Sequence, residues 1–175
     1  DEWCLSRIAD MLKKDEEASY YRQRSLNYRN LFNKETNFFH PKDKSGKWIT
    51  PFDYRYSGGQ GAREYYGENN GWVYRWDVPH NLTDLINLMR GDENFVSNLD
   101  KMFSEPLGKS KFEFYAQLPD HTGNVGQFSM ANEPCLHIPY LYNYANKPWM
   151  TQKKIRALLE EWFRNDLMGM PGDED

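Results

Sequence analysis

Residues 81–103 read NLTDLINLMRGDENFVSNLDKMF, and this stretch decides the fold class. Leu82, Leu85, Ile86 and Met89 recur at helical spacing, and Gly91 is a natural stop just past the last apolar turn. Asp92 then reads as the cap of a second helix carrying Phe95, Val96, Leu99, Met102 and Phe103. Two amphipathic helices joined by one glycine form a helical hairpin, the repeating unit of a paired-helix architecture.

The same pattern extends outward in both directions. Trp3, Ile8 and Leu12 fall on one helical face that ends in the charged run from Lys13 to Glu17. A second helical period continues through Tyr20, Tyr21, Leu26, Tyr28, Leu31 and Phe32. On the other side, Pro134 suits the first turn of a helix through Tyr144, bent at Pro139. Thr151 reads as the cap of a final helix bearing Ile155, Leu158, Leu159, Trp162 and Phe163, stopping near Gly169. Between these helices lie long stretches rich in aromatic and polar residues. Residues 37–39 and 47–49 are short strand candidates joined through Lys44-Ser45-Gly46, residues 57–61 must be loop, and residues 106–131 are polar and turn-rich. Loops of this length inside a compact domain are usually functional. The expected fold is mainly α: part of a toroid of paired helices, with long loops and a short β-hairpin, and enough helices for about half a ring.

Composition narrows the classes further. At 175 residues the chain is long enough for one domain with a real core. Aromatic residues make up 16% of it, which argues against disorder. A net charge of −4 without a Lys/Arg run gives no footprint for nucleic acid, and no apolar stretch is long enough to insert in a membrane. Cys4 and Cys135 make no disulfide framework, and two buried thiols are the simplest expectation. The chain begins inside an amphipathic segment and stops at Gly172-Asp173-Glu174-Asp175, so it reads as a piece of a longer protein, residues 1–175 forming a single fragment.

Three segments carry candidate chemistry. In the first, residues 65–76, Glu68 sits among Asn69, Asn70, Tyr66, Trp72 and Trp76. Aromatic faces can stack on a pyranose while amides and carboxylates bind its hydroxyls. A carboxyl crowded by aromatics also has its charged form disfavoured, as a general acid at neutral pH requires. The plain alternative is an aromatic core with Glu68 at its rim, and composition alone leans slightly that way. In the second, residues 126–137, Asn132 and Glu133 stand at a helix start, where capping is the better bet from spacing alone; the functional alternative is a set of oxygen ligands for a cation or a sugar hydroxyl. The third is the terminal Asp173-Glu174-Asp175, which could bind a cation or activate a water, although acidic ends are commonly just solvated.

Other signals are weaker. Gly59-Gln60-Gly61 has no strand before it and is no nucleotide loop, and His40, His80, His121 and His137 lack zinc-ligand spacing. Asp43-Lys44-Ser45-Gly46 lacks the later ligands of a calcium loop, and Asn81 reads as a helix cap before it reads as a glycosylation site.

Taken in order, the three segments resemble glycoside hydrolase family 92, whose members are calcium-dependent, inverting exo-α-mannosidases. Glu68-Asn69-Asn70-Gly71-Trp72 resembles the family's Glu-Gly-Asn-x-Trp stretch and leads into Trp76-Asp77-Val78-Pro79-His80. Gly126-Gln127 with Asn132-Glu133-Pro134 resembles its Gly-Gln and Asn-Glu-Pro segment. His137 to Ala145, then Lys147-Pro148-Trp149 and Thr151-Gln152, resembles the family's next helix and loop, and Gly172-Asp173-Glu174-Asp175 resembles Gly-Asx-x-Asp. Asn69 departs from the pattern, standing where the family usually has glycine.

The resemblance implies the middle of an (α/α)6-barrel catalytic domain, with an N-terminal β-sandwich and the final barrel helices absent from this chain. It implies Glu68 as the general acid, and Asp173 and Asp175 as candidates for the base side. It implies Ca2+ with Glu133 and Asn132 as candidate ligands, and Asn70, Trp72, Asn132 and His137 as sugar contacts. The substrate class would be terminal α-mannosides or N-glycans, of α-1,2 type, hydrolysed with inversion by a bacterial, secreted, periplasmic or cell-surface parent. The isolated piece would be inactive. A non-catalytic carbohydrate-binding module or a helical scaffold are the alternatives; the first needs no separated acid and base, and the second should show a repeat, which is missing here.

Overall fold

The structure, a computed structural model, describes residues 1–56, 65–119, 121–167 and 169–172. Residues 57–61, assigned to a loop from sequence, and the candidates Asp173 and Asp175 lie outside the described residues. The chain is mainly helical with two small antiparallel hairpins, and it divides into two compact units, Asp1–Trp48 and Ile49–Asp175.

In the first unit, helices α1 (Glu2–Met11) and α2 (Asp15–Arg24) pack on each other. The apolar stripe that marks α1 in the sequence stays largely exposed, with Trp3 at 42%, Ile8 at 52% and Leu12 at 63%. The small residues Ser6, Ala9 and Ala18 are buried instead. Arg22 to Asp10 at 2.8 Å and Arg24 to Glu2 at 2.7 Å link the two helices at the surface, where ion pairs add little. The charged run therefore starts α2, with Asp15, Glu16 and Glu17 in its first turn, where acidic side chains suit the helix dipole.

The expected helical face through Phe32 breaks. A 3-10 helix spans Asn27–Leu31, and Phe32 begins β1 (Phe32–Asn33), which pairs with β2 (Phe38–Phe39). The aromatic period serves a cluster instead: Phe39 meets Phe32 edge-on at 5.4 Å and Tyr28 at 6.2 Å. The hairpin expected between residues 37–39 and 47–49 is thus corrected, since Phe38-Phe39 pairs backwards and Trp48 forms only an isolated bridge with Lys42. Asp43 closes that turn by accepting from Ser45 N, Ser45 Oγ and Lys47 N, so the calcium-like echo is an Asx turn.

In the second unit the deciding stretch folds as its pattern predicts. Helix α4 (Leu82–Leu88) is capped by Asn81, whose side chain accepts from Asp84 N, and α5 (Asp92–Met102) comes next. Gly91, at φ +104°, takes the cap position itself. Asp92 is therefore the first helical residue, and it accepts from Asn146 Nδ2 at 3.0 Å. A four-residue helix α3 (Gly71–Tyr74) precedes them. Leu85, Met89, Phe95, Leu99, Met102 and Trp76 are fully buried, and Trp76 meets Phe95 edge-on at 5.3 Å while donating to Met102 Sδ at 3.1 Å. Each such apolar side chain contributes about 1.5–3 kcal/mol on burial.

The segment 106–131 holds more structure than its polarity suggests. Helix α6 (Lys111–Gln117) starts on a capping box between Ser110 and Glu113, and β3 (Asn124–Val125) pairs with β4 (Phe128–Ser129). The expected helix 134–144 is instead two 3-10 helices, Glu133–Cys135 and Ile138–Ala145, each with a proline in its first turn; Pro139, which has no N–H to donate, cannot continue a helix begun at Pro134. Helix α7 (Pro148–Trp162) begins at Pro148, three residues before Thr151, which is buried within it. It ends at Trp162, short of Gly169.

Gly126 closes the β3–β4 turn at φ +58°, against the end of α5. A Cβ there would stand 2.5 Å from the Met102 carbonyl oxygen and 2.6 Å from Phe103 C. Gly126→Ala therefore combines left-handed strain with a backbone overlap, and is expected to cost about 2–3 kcal/mol, read as a lower chemical-denaturation midpoint. Unchanged stability would mean that the turn does not sit against α5.

Candidate active site

Glu68 stands just before α3 and is partly exposed, on a loop held by its neighbours. Its backbone N–H donates to the Tyr74 hydroxyl at 3.2 Å, and Tyr74 stacks on Tyr66 at 6.0 Å. The next two residues, Asn69 and Asn70, are completely buried. Polar side chains are buried at low cost only when their hydrogen bonds are made, and here the bonds define the site.

Asn70 uses its whole amide. Oδ1 accepts from Trp72 N at 3.0 Å and Val73 N at 3.3 Å, capping α3. Nδ2 donates to the Arg55 carbonyl at 3.1 Å and to Gln127 Oε1 at 2.9 Å. Gln127 is oriented in turn by donating to the Pro106 carbonyl at 2.9 Å. The Gly-Gln pair thus serves as the partner of the Glu68 loop. With two acceptor and two donor bonds made inside the protein, Asn70 acts as frame and not as a sugar contact.

Trp72 is also frame: it is 5% exposed, with Arg75 5.3 Å and Lys101 5.8 Å from its ring centre. The Arg75 guanidinium lies between Trp72 and Trp76, 5.1 Å from the latter, and donates to Asn98 Oδ1 at 2.8 Å. Burial pulls the Arg75 guanidinium down to about 9, against the opposing influence of Tyr54 and Tyr66.

Asn69 reaches across the fold. Its Nδ2 donates to Asn132 Oδ1 at 2.8 Å, and its Oδ1 lies 2.8 Å from His121 Nδ1. Asn132 sits at the cap position of the 3-10 helix Glu133–Cys135 but makes no capping bond, which corrects the capping expectation. Its side chain is spent on Asn69 instead. His121 is fully buried with its ring edge-on to Phe114 at 5.1 Å, and burial holds the imidazole down to about 3, with the Gln127 backbone pulling weakly the other way. No spacing singles out His121, since its partners are 52 and 7 residues away in sequence or contribute only ring contact.

Glu133 is exposed on the first turn of that 3-10 helix, and His137 is partly exposed, its Nε2 3.3 Å from the Trp76 carbonyl. Cys135 between them is buried; burial pushes its thiol up to about 12, and Glu68 and Glu133 add to this. The bond from Asn69 to Asn132 brings the first and second candidate segments together. Asp173 and Asp175 are not described. The segment leading to them passes Pro171, whose Cβ lies 3.0 Å from where a Cβ on Gly123 would stand, beside Met130.

A cation would need oxygen ligands. Among the described residues no group of three or more His, Cys, Asp or Glu is placed to hold a metal ion. Asn132 Oδ1 is already engaged, and the atom left without a partner is Nδ2, a donor that a cation cannot use. Glu133 is exposed and offers a carboxylate that a calcium ion could use, whereas Asn132 is completely buried, with its Oδ1 accepting from Asn69.

The whole chain, residues 1–175, matches the profile described as the glycosyl hydrolase family 92 catalytic domain. It is 28% identical over 197 residues to a protein of Arthroderma benhamiae named an uncharacterized secreted glycosidase, covering 100% of this chain and 22% of that one. Among solved structures it resembles the family GH92 α-mannosidase BT3965 of Bacteroides thetaiotaomicron in complex with mannoimidazole, at 30% identity and a TM-score of 0.82, over 98% of this chain and 22% of that chain. It also resembles the GH92 inverting mannosidase BT2199 of the same organism, at 34% identity and a TM-score of 0.77, over 99% of this chain and 24% of that chain. The chain thus spans about a quarter or less of these relatives, and its helices are those of an (α/α)6-type domain. Matched along its entire length, the chain belongs to glycosyl hydrolase family 92, as part of the catalytic domain.

Proposed function

We propose that the parent protein hydrolyses terminal α-mannosides with inversion, and that Glu68 is the general acid that protonates the departing glycosidic oxygen. The observation that carries this reading is the seat of Glu68. It is a partly exposed carboxylate whose own peptide is bound to Tyr74 and whose two following residues are locked into buried amide bonds. A group fixed by its scaffold loses little freedom when it meets the substrate, which is the main contribution of positioning to catalysis.

Asp173 and Asp175 remain the candidates for polarising the attacking water. Inversion places a water between base and sugar, so the acid and base carboxyls should stand about 6.5–9.5 Å apart. Glu133 would be the ligand this segment offers to Ca2+. Calcium, when bound, would hold the vicinal mannose hydroxyls O2 and O3 in the flattened geometry of an oxocarbenium-like transition state. His137 and the rim of Glu133 are the remaining groups on this side able to meet the glycone. The α-1,2 linkage, export of the parent from the cell, and the need for the rest of the parent chain belong to the same proposal. The relative named as secreted supports export, and the mannosidase structures support a mannoside substrate.

The test uses the full-length parent with α-1,2-mannobiose, monitoring the first-formed anomer by NMR. β-Mannose should appear first, chelation should abolish turnover, and added calcium should restore it. The 175-residue chain by itself should not turn the substrate over. α-Mannose as the first product would overturn the inverting mechanism, and full activity after chelation would remove calcium from it.

A further inference from the structure

The amide of Asn69 can be oriented without ambiguity, and its orientation has a consequence for the acid beside it. The backbone N–H of Asn70 points at the Asn69 side chain at 2.7 Å, and a peptide N–H can only donate. The atom it meets is therefore Oδ1. Nδ2 is then left to face Asn132, at 2.8 Å, and the Asn132 atom receiving it must be Oδ1. The same reasoning sets the histidine: its Nδ1, 2.8 Å from Asn69 Oδ1, carries the proton of the neutral ring. One backbone amide thereby fixes the Asn69 side chain and, through it, those of His121 and Asn132, 52 and 63 residues away.

We infer that Asn69 is a positioning residue for Glu68, tying the acid loop to the Asn132-Glu133 segment so that the acid and the sugar-facing side keep one geometry. The inference rests on Glu68 being the acid. Asn69 is 0% exposed, so its side chain acts through the peptide it shares with Glu68. Its backbone is not among those with positive φ, so glycine is not required at this position and the asparagine sits there without strain. What glycine would lose is the side chain, and with it both long-range bonds. A carboxyl displaced by about 1 Å from the leaving oxygen can lose about 100-fold in rate.

The test compares two substrates in the full-length parent: α-1,2-mannobiose, whose leaving group needs a proton, and 2,4-dinitrophenyl α-mannoside, whose leaving group does not. Asn69→Gly should lower kcat on mannobiose about 10- to 100-fold while KM stays within about twofold, and should leave the dinitrophenyl substrate within about threefold. The ratio of the two rates does not depend on the fraction of folded enzyme, so simple destabilisation cannot imitate this result. His121→Phe, which removes the donor to Asn69 but keeps a ring against Phe114, should shift the ratio in the same direction by less, and decides the matter if Asn69→Gly does not fold. Unchanged ratios in both variants overturn the inference. Glu68→Gln measured alongside separates the two levels. If Glu68→Gln is selective and the other two variants are not, only the positioning role falls. If Glu68→Gln slows both substrates equally, the acid assignment falls and the positioning role with it.

Discussion

In the full-length parent, Glu68→Gln is expected to slow hydrolysis of α-1,2-mannobiose by about 100- to 10,000-fold, the range that general acid catalysis contributes. The substitution keeps the shape of the side chain and removes the proton. A sugar alkoxide is a poor leaving group, so its departure without that proton carries the whole penalty, about 3–5 kcal/mol of barrier. Dinitrophenolate leaves readily without protonation, and on that substrate the same variant should stay within about tenfold of wild type. Asp175→Asn behaves differently if it removes the base, slowing both substrates alike because the attacking water needs activation whatever the leaving group. The surroundings of Glu68 support such a clean comparison. Its peptide N–H is held by the Tyr74 hydroxyl and its loop by Asn69 and Asn70, so a neutral amide should take up the same position. Equal losses on the two substrates would show that Glu68 is not the acid.

Asn70→Ala is expected to be the most damaging substitution for the site's stability. Four hydrogen bonds end on this buried amide. Its loss uncaps α3, whose first residues Gly71, Trp72 and Val73 are all buried, and leaves Gln127 Oε1 without its donor. A lost cap costs about 1 kcal/mol and a stranded buried polar group about 1–3 kcal/mol, so the combined effect is about 2–4 kcal/mol. Asn70→Asp sharpens the test. The carboxylate can still cap α3 through one oxygen, but it sets the other against Gln127 Oε1 and the Arg55 carbonyl. Gln127 cannot turn its amide to help without giving up its bond to Pro106. Both variants should show a lowered denaturation midpoint, with Asn70→Asp no better than Asn70→Ala. An Asn70→Asp protein as stable as wild type would mean that Gln127 and Asn70 do not meet as described.

Several elements are legible from short-range pattern alone. The apolar period of α4 and α5 and the Asn81 cap involve groups within a few residues of one another, and the structure keeps them, although Arg90 takes the left-handed turn that ends α4 and Gly91 caps α5. Helix α7 is equally readable, although its pattern points to a start at Thr151 where Pro148 in fact occupies the first turn. The capping box of Ser110 and Glu113 is present in the sequence as Ser-x-x-Glu, but the polar residues around it hide the helix it starts. Periodicity fails where aromatics serve tertiary clusters. Tyr28, Phe32 and Phe39 sit at roughly helical intervals but meet as the packing of a hairpin.

The sequence by itself determined the helical class and the family, and nominated Glu68 as the acid, because each reading depends on residue order and local spacing. Only the tertiary structure decided what the neighbours of Glu68 do. Asn70 and Trp72 read as sugar contacts while their partners are unknown; three-dimensional contact with Arg55, Gln127, Arg75 and Lys101 makes them frame. His121 has no motif at all, and Asn132 looks like an ordinary cap until Asn69 is found 2.8 Å from it. The physical reason is that a buried amide is defined by where its two donors and two lone pairs end. Those partners lie up to 63 residues away, in chain segments that only folding brings together.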